Sequence, residues 1–136
     1  MVMRMLIGVV AGIVVAFLCV FAVEFVAHGL YPPPAGLDAS NPADQARLLA
    51  AMPAAAKALV LLAWFMGALA GAWTANRLAG RSLAGWIVAL LVIAAGTATM
   101  VMIPHPAWMW AGGLARPLLG AWIAHRMSAR RPARAA

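Results

Sequence analysis

The chain has 136 residues, 66% of them hydrophobic and only 10% charged, with ten Lys/Arg against three Asp/Glu. A typical soluble domain is about 25% charged, so this composition excludes a water-exposed globular fold, a disordered chain and a secreted disulfide scaffold. Cys19 is the only cysteine, so no disulfide forms within the chain. The length allows a single domain, 1–136.

A helix needs about 20 mostly apolar residues to cross a ~30 Å hydrocarbon core. Four stretches meet that need: about 5–30, 54–75, 83–103 and 107–124. The expected fold is therefore all-α, a polytopic four-transmembrane-helix bundle. The first span is free of charge from Met5 through Val23, longer than the ~7–15 apolar residues of a signal peptide core, and so reads as an anchor. Tyr31-Pro32-Pro33-Pro34 ends it, because proline lacks an N–H and disfavours helix at the residue before it. In the connection 31–53, Asn41-Pro42-Ala43-Asp44 predicts a short surface helix to about Ala51, with Asn41 as N-cap and Pro42 at the first helical position. Pro53 opens the second span, Ser82 is placed to cap the third, and Pro104-His105-Pro106 makes a tight turn into the fourth. The segment 126–136 reads as a basic tail.

Charge sets the expected orientation. With four crossings, Arg4, Arg77, Arg81, Arg126, Arg130, Arg131 and Arg134 share one side with no acid among them. On the other side Arg47 and Lys57 are balanced by Asp38 and Asp44. Lysine and arginine mark cytoplasmic loops, which places both termini in the cytoplasm of an inner or plasma membrane and the 31–53 loop in the periplasm. The basic face suits anionic lipid headgroups rather than nucleic acid. A homodimer or a larger membrane complex is compatible with so small a bundle.

Ionisable groups within spans are costly and mark candidate sites. Glu24 and His28 are four residues apart and share a helix face. His105 is held between two prolines on the same expected side. Arg116 lies ten residues past Pro106, about 15 Å down the fourth span, with Gly112 and Gly120 four residues either way. That spacing points Arg116 into the bundle, and Pro117 predicts a kink beside it. Glu24 and Arg116 are the opposite charges within the spans, so an ion pair between the first and fourth helices is expected. As structure that pair is a brace; as chemistry it belongs to a ligand or proton site. Glu24, His28 and His105 together would suffice for a divalent transition metal with an open position.

Gly8-x-x-x-Gly12 and Gly67-x-x-x-Gly71 fit close helix packing, within the protein or between copies. Trp64 is deep enough for core packing, and the other tryptophans fall near the interfaces. No phosphate-binding glycine loop, His-Glu-x-x-His pair or framed nucleophilic serine is present. Four short helices with an acid in the first resemble, in plan, the small multidrug-resistance transporters. Here the acid, Glu24, lies near the outer end of its span, and the one-sided charge opposes dual insertion.

Three roles follow as expectations. The first is a periplasm-facing polar site of Glu24, His28, His105 and Arg116 that binds a metal cation, a proton or a small anion, in transport or otherwise. The second is a structural or accessory subunit acting through its glycine faces. The third is an intramembrane enzyme with His28 or His105 as acid or base, for which no motif speaks.

Overall fold

The computed structural model describes residues 1–129, so the tail arginines Arg130, Arg131 and Arg134 lie outside the described residues. Within them all regular structure is helical: α1 (Val2–Leu30), α2 (Pro42–Ala51), α3 (Ala54–Ala79), α4 (Ser82–Met102) and α5 (Ala107–Ala129). Three of these, α1, α3 and α4, are long and apolar enough to cross a membrane. Helix α5 has 23 residues, but Arg116, Pro117 and three tryptophans dilute its apolar character and keep it out of that group.

The connections follow local chemistry. Asn41 accepts a hydrogen bond from the Ala43 N–H at 3.0 Å, capping α2 as its sequence predicts, with Pro42 in the first turn. Helix α3 runs four residues past the expected end at Ala75, to Gly80, whose φ of 69° stops it in the left-handed conformation. Ser82 is not a cap. It is the first helical residue of α4, and the preceding Arg81 offers no side-chain cap. Instead Asn76 of α3 supplies the acceptor, its Oδ1 taking the Gly85 N–H at 2.8 Å.

Helix α3 is the centre of the bundle, packed against α1, α4 and α5. Helix α4 touches α1, α3 and α5, whereas α1 and α5 do not meet. Helix α2 packs against no other helix and buries no residue. The inner faces are made of small side chains, including Ala56, Ala63, Ala68, Ala72, Ala75 and Ala89, all fully buried. Small residues let backbones approach closely, the main way apolar helices gain packing contacts when lipid is the solvent.

The predicted glycine motifs pair with each other. A Cβ on Gly12 would lie 2.7 Å from the Gly71 carbonyl, and one on Gly71 would lie 2.6 Å from the Gly12 carbonyl. Gly8 meets Ala75 and Ala79 in the same way, and Gly67 meets Ala16 and Val20. These faces are therefore used within the chain, between α1 and α3. The opposite face of α1 exposes Leu6, Val10, Phe17, Phe21 and Phe25, as a helix solvated by lipid does.

Candidate functional site

Helices α1 and α4 meet near Gly12, Ala16 and Val88 and part beyond that point. A groove of about 270 Å³ follows, lined by Ile13, Phe17 and Val20 from α1 and by Leu91, Val92 and Ala95 from α4. Trp64 of α3 forms its floor. The Trp64 ring is buried against Gly96 of α4 and Gly113 of α5, where any Cβ would strike it at 2.8–2.9 Å. A tryptophan fits at the centre of the bundle because two neighbouring helices carry glycine opposite it.

The walls of this groove are apolar except at one end. Glu24, half-buried, closes the α1 side, and Thr99 closes the α4 side. From Val88 to Thr99 and from Ile13 to Glu24 the rise is about 16 Å along either helix, so the two polar residues stand at similar height. The Thr99 hydroxyl donates to the Ala95 carbonyl at 3.0 Å, within its own helix, and keeps its lone pairs free.

The remaining expected site residues do not converge on Glu24. His28 is exposed one turn further along α1, and its Nδ1–H donates to the Glu24 backbone carbonyl at 2.8 Å rather than binding the carboxylate. His105 turns inward on its own bend, Nδ1–H donating to the Ile103 carbonyl at 2.6 Å. Both rings thus leave Nε2 as the unassigned acceptor. Among the described residues no three His, Cys, Asp or Glu side chains gather in a metal-binding group. The Glu24, His28 and His105 metal site is therefore not assembled.

Arg116 departs furthest from expectation. It is exposed on α5, a helix that α1 does not touch, and the ion pair found among the described residues is Asp44 with Arg47, at 3.8 Å. The expected Glu24–Arg116 brace does not form. The reason lies in helix phase. The buried stripe of α5 runs through Gly113, Pro117, Gly120 and Ala124, and Arg116 is turned about 70° from the middle of it. Gly112 and Gly120, about 40° to either side of Arg116, pack closely against Leu61 and against the backbone at Phe65 and Leu69, so the face they share is turned to α3 and not to α1. Helix α5 continues through Pro117 without interruption.

Sequence reasoning missed Asn76. It is 4% exposed, near the end of α3 that carries the arginines. Placing the end of the second span at Ala75 left this residue outside the helix. The signal was a lone amide four residues before a helix-ending glycine. No family model, curated protein or solved structure matches this chain.

Proposed function

We propose that the chain is a membrane protein whose α1–α4 groove takes one hydrophobic ligand with a cationic or hydrogen-bond-donating head, held by Glu24. The observation that carries this reading is a carboxylate standing at the end of an otherwise apolar, laterally open groove. Apolar walls favour an alkyl or aromatic body, and a carboxylate is an acceptor that favours a positive or donating head. A ligand could enter from the lipid between α1 and α4 without the bundle opening. Of the expected four-residue site this keeps Glu24 and adds Thr99, and it replaces a metal or small anion with an amphiphile.

The test compares decylammonium, decanol and decanoate, which share one tail and differ in head charge. Tryptophan fluorescence in lipid nanodiscs, taken as the difference between the chain and its Trp64→Phe variant, reports binding at Trp64. The reading expects decylammonium to bind best and to lose about tenfold in affinity in Glu24→Gln. Equal binding of all three, unchanged in the variant, overturns it. A scaffold role through the glycine faces is less well supported, because those faces are occupied by α1 and α3 themselves.

The proposed topology has α5 as a fourth crossing and both termini on the arginine-rich, cytoplasmic side of an inner or plasma membrane. At 23 residues α5 is about 34 Å long, and it lies along both α3 and α4. Reporter fusions at the two termini test this: activity on the same side supports four crossings, and activity on opposite sides supports three.

A further inference from the structure

At the end of the bundle away from Glu24, helices α3, α4 and α5 enclose a second pocket, of about 250 Å³. Polar residues border it: Asn76 and Arg77 from the end of α3, Arg81 and Ser82 at the start of α4, His125 and Ser128 from the end of α5. Arg4 also reaches this end, close to the Gly80 turn.

Two buried polar atoms here have no hydrogen-bond partner among the described residues, Asn76 Nδ2 and His125 Nδ1. A buried amide without a partner is destabilising, so such a group calls for an explanation. The orientation of the Asn76 amide is fixed by its other atom. Oδ1 accepts the Gly85 N–H at 2.8 Å, and the reverse assignment would set two donors face to face. Nδ2 is thus left with hydrogens to give. Arg77 is held in place by stacking on Trp73, its guanidinium carbon 4.8 Å from the ring centre.

The sign of the missing partner follows from the residues around it. Both charged side chains on the pocket are arginines. The three acids of the chain, Glu24, Asp38 and Asp44, lie in the last two turns of α1, in the connection after it and in α2. Residues from three helices therefore border one space with an amide, two arginines, two serines and a histidine, and among the described residues no carboxylate competes there. A compact anion with several acceptor oxygens satisfies that set better than water, and arginine forks match phosphate geometry.

We propose that this pocket binds a phosphate group, free or as the headgroup of an anionic phospholipid, with Asn76 as the buried donor and Arg77 and Arg81 as counter-charges. It would tie α3, α4 and α5 together at the end of the bundle that carries Arg77 and Arg81. The proposal is independent of the groove at Glu24.

The experiment is native mass spectrometry of the full chain released from detergent. It is titrated with phosphatidylglycerol, with phosphatidylcholine, and with inorganic phosphate as competitor. The expected result is retention of phosphatidylglycerol about tenfold above phosphatidylcholine. Asn76→Asp keeps an acceptor for the Gly85 N–H but removes the donor, and should lower that retention about tenfold. Arg81 is exposed, and Arg81→Gln should lower retention about threefold. If inorganic phosphate displaces the lipid, the phosphate alone suffices. If it does not, while retention still depends on Asn76, the phospholipid is the ligand. No preference for phosphatidylglycerol, or equal retention by wild type and both variants, overturns the proposal. Should Asn76→Asp fail to fold, unchanged retention in both Arg77→Gln and Arg81→Gln overturns it equally.

Discussion

Along the same helix, α1, the seam with α3 and the groove with α4 are built from opposite residue choices. The seam stacks Gly8, Gly12 and Ala16 on Gly67, Gly71, Ala75 and Ala79, and the two backbones come almost into contact. The groove is bordered by Ile13, Phe17 and Val20 on one side and Leu91 and Val92 on the other, with the Trp64 ring beneath. Where side chains are small, the helices close; where they are bulky and branched, the helices stand apart and leave space for a ligand.

The largest expected effect comes from breaking the seam. Gly12→Leu puts a side chain where even a Cβ lies 2.7 Å from the Gly71 carbonyl and 2.9 Å from Val88. It should destabilise the bundle by about 3 kcal/mol, read as a lower melting temperature in detergent. Gly29→Ala, where a Cβ meets nothing within 4 Å, is the control and should change stability by less than ~0.5 kcal/mol.

Filling the groove should do the reverse. Ala95 is exposed on the groove wall, so Ala95→Phe should leave stability within ~0.5 kcal/mol. It should weaken decylammonium binding about tenfold, as loss of the apolar slot requires. Normal binding in this variant would place the ligand elsewhere.

A double-mutant cycle on Glu24→Gln and Arg116→Gln sharpens the comparison further. With Arg116 exposed on a helix that α1 does not touch, the coupling should stay below ~0.5 kcal/mol. A buried brace would instead show a coupling of about 0.5–3 kcal/mol, with each single variant losing ~3–5 kcal/mol.

The smallest effect on the whole fold belongs to the connection before α3. Asn41→Ala removes the α2 cap and should cost about 1 kcal/mol of local helix stability. Hydrogen exchange in α2 would report it, while global melting stays unchanged because α2 packs on no other helix. Hydrogen bonds from the Ser40 hydroxyl and N–H hold the Asp38 carboxyl below its ordinary value of 3.8. Its contribution to this turn is complete above that value and is lost as pH falls through the lower folded one. Exchange in the connection should rise only in acid.

Much of this was legible in the sequence because it depends on neighbours in the chain. The proline run after Tyr31, the Asn41–Pro42 start and the apolar runs each act locally, and the helices of the structure begin and end within a few residues of where those signals put them. The glycine pairs were legible as packing faces, though not their mutual partnership. The candidate site was legible only in part. Glu24 was identified and Trp64 was read as a core residue, but Thr99 and Asn76 gain their roles from residues on other helices, and Arg116 was misdirected by a spacing of four. That spacing does set Gly112 and Gly120 within about 40° of Arg116, but the face they share packs on α3 and not on the helix that carries Glu24.

By itself, then, the sequence determined that the chain is helical, apolar and basic at one end, and it marked which faces have small side chains. These follow from composition, from backbone chemistry at proline and glycine, and from a 3.6-residue period. Only the tertiary structure decided that α3 is central, that α1 and α5 never meet, and that Glu24 faces a groove instead of an arginine. Pairing between helices depends on how their faces are turned and which shapes fit, and charge complementarity in a linear sequence does not reveal either.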